Sequence, residues 1–210
     1  NMLYKHLKGN YGEGEPIMLN EISVDGMSNV NLRQQIKKLV DSGRLKRYDT
    51  GIYFIAEKSI FASGMQLSKE KVIEQKYLRD QTGVCGYLSG MLFANSIGIT
   101  SQIPLVYELV TNKATNDYRE IILAGSRVVI RKPKVRINDE NCKVLQFMEM
   151  LKDIDVFSEL EGRELTEMLL GYMRAVGIGF VDIDKYLEYF PDKIFKNMYR
   201  AGLIGGKEEP

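Results

Sequence analysis

The chain has a single histidine, His6, and only two cysteines, Cys85 and Cys142. Acid–base and nucleophilic catalysis need a base placed beside a nucleophile. With one histidine, on a short N-terminal helix, no Ser-His-Asp or Cys-His set can be assembled. The cysteines stand far apart with no histidine nearby, which leaves no Cys/His metal cluster. They are expected as small buried thiols without a disulfide between them. No apolar run is long enough to span a bilayer, and no basic start leads into an apolar signal segment. A cytoplasmic protein with no membrane partner is therefore expected. Neither phosphate-cradling glycine motif, G-x-G-x-x-G or G-x-x-x-x-G-K-[ST], occurs, and there is no internal repeat. Asp153/Asp155 and Asp182/Asp184 read as helix-end or cap acids rather than metal ligands. The expectation is no cofactor, no metal and no enzymatic activity.

What remains is an ordinary globular composition over 210 residues, 44% hydrophobic and 27% charged, enough for one to two domains. The net charge of +1 says little, but its distribution says more. Between Val30 and Tyr48 lie Arg33, Lys37, Lys38, Arg44, Lys46 and Arg47 against one acid, Asp41. A local basic face in a near-neutral protein is the footprint of a phosphate-binding module.

That face sits on the stretch Ser28 to Ile55. Ser28 is a good N-cap. Leu32, Ile36, Leu39 and Val40 recur at i, i+4, i+7 and i+8, one apolar helical stripe. Asn29, Asn31, Arg33, Gln34, Lys37 and Lys38 lie off it. Ser42-Gly43 ends the helix, because glycine suits the left-handed position after a helix. Residues 44–49, a turn at Thr50-Gly51 and residues 52–55 read as a β-hairpin. Upstream come a short helix over 3–8, a loop over 9–16, a strand at Ile17-Met18 and a second short helix capped by Asn20. Helix, strand, helix, turn, helix, hairpin is the winged helix-turn-helix order, in which a helix enters the DNA major groove.

Further on, the texture changes over 57–66, which places a domain boundary there. The expected organisation is a DNA-binding domain over 1–58, a linker over 59–67 and a second domain over 68–210. Ser68 caps a helix reaching about Leu78. Residues 84–97 read as a buried apolar helix with small residues, ended by Gly98. Leu105 to Val110 is β-rich, and Tyr118–Leu123 with Arg127–Arg131 forms a hairpin around Ala124-Gly125-Ser126. A short strand is expected over 134–137. Beyond it the spacing predicts helices over 138–154, around Leu165 to Met173, over 182–189 and over 192–201. The fold class is α+β: an N-terminal winged helix-turn-helix plus a helix-rich C-terminal domain with a small antiparallel sheet.

The stretch from Ser28 to Ile55 resembles the winged-helix start of the AbiEi-type abortive-infection antitoxins and their DUF6088-like relatives. Gly86-Tyr87-Leu88-Ser89-Gly90, Ala94-Asn95, Gly98 through Pro104 and Thr111-Asn112 resemble that family's second-domain core. The resemblance covers about Leu19 to Leu151. It implies a transcriptional repressor that binds inverted repeats in its own promoter. It also implies the antitoxin of a type IV toxin–antitoxin pair, opposing a nucleotidyltransferase-like toxin without a direct complex being required. The alternative is a winged-helix protein–protein adaptor that does not bind DNA.

The expected DNA-binding residues are Ser28, Asn29, Asn31, Arg33, Gln34, Lys37, Lys38, Lys46 and Arg47. Asn29, Asn31, Arg33 and Gln34 are the base-edge candidates, since Asn and Gln bind adenine and Arg binds guanine with paired hydrogen bonds. Lys37, Lys38, Lys46 and Arg47 are assigned to phosphates, and Ser28 to a phosphate at the helix N-terminus. A second basic run, Lys113 to Arg136, reads either as the charged outer face of a small sheet or as an extended nucleic-acid footprint.

Overall fold

The computed structural model describes residues 2–56 and 66–205. They form an α+β protein of two compact units that divide between Lys76 and Tyr77.

The first unit opens with α1 (Met2–Tyr11), then β1 (Ile17–Met18), a single 3₁₀ turn (Leu19–Glu21), α2 (Asn29–Asp41), β2 (Lys46–Asp49) and β3 (Ile52–Phe54). β3 is the middle of a three-stranded antiparallel sheet, with β1 on one side and β2 on the other. Leu32, Ile36 and Leu39 of α2 are buried with Leu3 and Leu7 of α1, Ile17 and Leu45. The Ser28 hydroxyl caps α2, accepting from the Asn31 amide at 3.3 Å. Gly43 ends α2 at φ +70°, a conformation that glycine adopts without a Cβ penalty.

Two expectations change here. α1 continues past Lys8 to Tyr11, whose packing against the core of this unit outweighs the weak helix propensity of Gly9. Asn20 caps nothing: it lies inside the 3₁₀ turn, which starts after Met18.

α3 (Lys69–Ile73) starts at Ser68, whose hydroxyl accepts from the Lys71 amide at 3.3 Å, and widens into a π-type turn (Glu74–Leu78). α3 belongs to the first unit, so the division lies later than the expected linker over 59–67. Of that linker only Gln66 and Leu67 are described, and Leu67 is buried.

The second unit has a short ribbon, β4 (Arg79–Asp80) with β5 (Gly83–Val84). β6 (Gly86–Ser89), α4 (Gly90–Ser96), β7 (Val106–Thr111), β8 (Tyr118–Leu123) and β9 (Ser126–Arg131) follow. The main sheet runs β6-β7-β9-β8. It is antiparallel except for its central pair, β7 and β9, which run parallel. The β8–β9 turn has φ +44° at Ala124 and +78° at Gly125, the pair of positive values that a two-residue I′ hairpin turn demands.

The expected helix over 84–97 is half strand. Residues 86–89 pair with β7, and only from Gly90 does the chain turn helical. The physical reason is at Gly86. A Cβ there would stand 2.8 Å from the carbonyl oxygens of Tyr77 and Val110, so two neighbouring backbones approach where a side chain would be. No strand forms over 134–137.

The rest is helical: α5 (Cys142–Lys152), α6 (Ile154–Phe157), α7 (Gly162–Val176), α8 (Phe180–Asp184), a 3₁₀ turn (Leu187–Tyr189) and α9 (Lys193–Arg200). Phe147, Met148 and Leu151 of α5, Leu169 and Met173 of α7, and Ile194 and Met198 of α9 form the main core. Among the described residues no helix is long and apolar enough to cross a membrane.

A carboxylate clips the loop after α4 to the chain after α6. Glu159 accepts from the Ser101 amide and hydroxyl at 2.9 Å and from the Thr100 hydroxyl at 2.8 Å. These donors, the Ser101 amide first, hold its carboxyl at about 2, below the usual value of 4.5. A depressed folded-state value stabilises above the unfolded value, and that stabilisation is lost as pH falls from about 4.5 to about 2. Glu159→Gln is expected to lower the melting temperature at pH 7. The gap to wild type should close as both are scanned toward pH 2. Parallel curves for the two proteins between those pH values would refute the clip.

Candidate nucleic-acid interface

The nine residues assigned to DNA are all exposed, and all belong to α2, its cap or β2. Helical spacing sorts them. Val30, Gln34, Lys37 and Asp41 at i, i+4, i+7 and i+11 form the face turned away from Leu32, Ile36 and Leu39. Arg33 flanks it on one side, and Asn31 and Lys38 on the other, while Asn29, at i−3 from Leu32, is exposed at the first turn on the stripe's own side. Ser28 spends its oxygen on the Asn31 amide, so its first role is to start the helix.

Arg33, Lys37, Lys38 and Lys46 form no ion pair with another described residue. Arg47 is committed: its Nε donates to the Asp49 carbonyl at 3.3 Å and its Nη2 to the Thr50 hydroxyl at 3.1 Å. Its charge is thereby fixed at the hairpin tip. The Asp49 carboxylate tightens that tip by accepting from the Thr50 amide at 2.6 Å. Gly51 ties it back to the 3₁₀ turn, its carbonyl accepting from the Leu19 amide at 2.9 Å. A cationic group on a braced turn loses little side-chain entropy when it meets a phosphate.

Two residues add to the expected set. Arg44, in the turn between α2 and β2, lies over the Tyr4 ring of α1, 5.7 Å from its centroid. Val30 is 68% exposed, an apolar side chain on the first turn of the outward face. Such a group suits a thymine methyl in the major groove. Its signal was in the sequence: a valine two residues before Leu32 cannot share the buried stripe.

The second basic run divides. Arg127 pairs with Glu120 at 2.6 Å, and Arg131 pairs with Glu108 at 3.5 Å and Glu149 at 3.8 Å. Arg119, Lys132, Lys134 and Arg136 are exposed and form no ion pair with another described residue.

His6 Nε2 lies 3.0 Å from the Asn10 amide nitrogen, one turn along α1. Asp153 and Asp155 share Lys193 at 3.2 and 3.0 Å. Asp182 accepts from the Gly179 amide at 2.9 Å as the start of α8. Cys85 and Cys142 are free and buried, and burial pushes both thiols up, away from the reactive thiolate. Among the described residues no group of three or more potential metal ligands is found. No family model matches the chain, and no curated protein matches it.

Proposed function

We propose that the first unit is a winged helix-turn-helix module that binds duplex DNA. In this reading α2 lies in the major groove and the β2–β3 hairpin lies against the backbone. The observation that carries the reading is the unspent charge: Arg33, Lys37, Lys38 and Lys46 are exposed beside a braced Arg47, with no carboxylate partner among the described residues. Exposed cations that a protein leaves unneutralised on one helix and its neighbouring strand suit an external polyanion. Arg33, Asn29, Asn31 and Gln34 read base edges, with Val30 against a methyl group. Lys37, Lys38, Lys46 and Arg47 hold phosphates, which position without reading sequence.

The narrower reading rests on the resemblance to the AbiEi-type antitoxins. On it the chain is a cytoplasmic repressor of its own promoter and the antitoxin of a type IV pair, opposing a nucleotidyltransferase-like toxin without a stable complex. The chain is then a binding protein, not an enzyme. Growth rescue on co-expression with a nucleotidyltransferase-like toxin from the neighbouring gene tests that part separately.

The DNA part is tested by titrating labelled duplexes, the native upstream region against random sequence. Arg33→Ala is expected to weaken the native duplex by about 1–3 kcal/mol and random duplex far less. Lys46→Ala is expected to weaken both alike. Equal loss on both duplexes for Arg33→Ala rejects its base-reading role.

A further inference from the structure

The second unit carries a cleft that DNA binding does not use. Its volume is about 240 Å³, and it is lined by the chain leaving β9, by α5 and by the segment before α9. The cations on its α5 side are spent. Glu149 holds Lys152 at 2.8 Å and Arg131 at 3.8 Å, and Lys152 also meets Asp153 at 3.2 Å. That network makes a fixed wall.

Three other features of the lining are not spent. Lys132 and Lys134, either side of Pro133, line the same cleft, are exposed and form no ion pair with another described residue. Two ammonium groups separated by a proline of fixed φ are a seat for a doubly charged phosphate. Asp117 stands beside that seat, its carbonyl accepting from the Lys132 amide at 3.2 Å. Its carboxylate also has no ion-pair partner among the described residues. An acceptor-only carboxylate in the lining suits the hydroxyls of a sugar. Tyr189 and Phe190 add two aromatic rings to the lining, and Tyr189 is 44% exposed. Phe190 is half-buried against the core, so Tyr189 is the exposed ring beside the cations and the stacking platform for a nucleobase.

We propose that this cleft binds a nucleoside monophosphate. The phosphate sits on Lys132 and Lys134, the sugar hydroxyls on Asp117 and the base against Tyr189 and Phe190. The volume, about 240 Å³, is at the small end of ligand clefts. That size favours one nucleotide over a dinucleotide.

The test is calorimetric titration of the full chain with the four ribonucleoside 5′-monophosphates, ribose 5-phosphate and inorganic phosphate. At least one nucleotide is expected to bind saturably at one per chain, with ribose 5-phosphate about tenfold weaker for want of stacking. Tyr189→Ala should remove that advantage and leave ribose 5-phosphate binding unchanged. The Lys132→Ala/Lys134→Ala double variant should weaken every phosphate-bearing ligand by about tenfold or more. An Arg33→Ala/Lys37→Ala variant should bind the nucleotide as wild type does, which separates this site from the DNA interface. All these positions are exposed, so each variant is expected to melt as wild type. Absence of saturable binding for all four nucleotides overturns the proposal. So does equal affinity for inorganic phosphate, or binding indifferent to the loss of both lysines.

Discussion

Replacing Lys37 and Lys38 together by glutamate is expected to reduce duplex affinity on the order of 100-fold at physiological salt. The variant removes two phosphate contacts and sets two carboxylates against the same phosphates. Both lysines are exposed and form no ion pair with another described residue, so the fold loses no partner. Glutamate has nearly the helix propensity of lysine, and the buried Leu32, Ile36 and Leu39 are untouched. The cost to α2 is confined to about 1 kcal/mol or less from acids near the negative end of its dipole. The slope of log affinity against log salt should fall in magnitude by about 2, one for each contact removed. Fluorescence anisotropy on one labelled duplex over a salt series reads both quantities. An affinity within about twofold of wild type would show that α2 does not face the phosphates.

The largest expected loss of stability lies in the second unit, at Phe147. Its side chain is 0% exposed. Its ring stacks on Tyr172 with centroids 5.5 Å apart and planes at 19°. Tyr172 in turn meets Phe93 edge-on, at 5.7 Å and 76°. Three rings from α4, α5 and α7 thus interlock through Tyr172, and deleting the Phe147 ring leaves a void that Tyr172 cannot fill while it keeps its contact with Phe93. Phe147→Ala is expected to cost about 3–5 kcal/mol, of which the lost stack supplies about 0.5–1.5. Set against a whole-domain stability of about 5–15 kcal/mol, that is enough to leave a large unfolded fraction on modest heating. Phe147→Leu, which keeps most of the volume, should cost about 1.5 kcal/mol or less. Urea unfolding of the two variants beside wild type measures the difference. A loss below about 1 kcal/mol for the alanine variant would mean that the three rings do not form the packing centre described.

The stretch that carries the proposed function was legible because every local signal in it agreed. Ser28, the Leu32-Ile36-Leu39 spacing, Gly43 and the Thr50-Gly51 turn each point to one structure, and each is found. The second hairpin was legible for the same reason, from Ala124-Gly125 between two β-rich runs. Residues 84–97 were not. A short apolar run with small residues reads equally as a buried strand or a buried helix, and here it is one followed by the other. What decides it is the approach of the Tyr77 and Val110 carbonyls to Gly86, contacts that no local pattern announces. The cleft in the second unit was illegible for a related reason. Asp117, the Lys132-Pro133-Lys134 segment and Tyr189 come together from separate parts of the chain, with no motif or spacing to link the three. Within the interface, sequence placed the cations but not their state. That Arg47 is tied to its own turn and Arg44 to Tyr4 follows from hairpin and helix packing in the folded chain.

The most direct measurement of the central claim is the salt dependence of wild-type binding to a duplex from its own upstream region. Besides the base reader Arg33, five cations, Lys37, Lys38, Arg44, Lys46 and Arg47, stand along α2, the turn after it and β2. If each neutralises a phosphate, log affinity falls against log salt with a slope of about −5. A slope near zero, or no duplex binding at low salt, would contradict the assignment of this face to DNA.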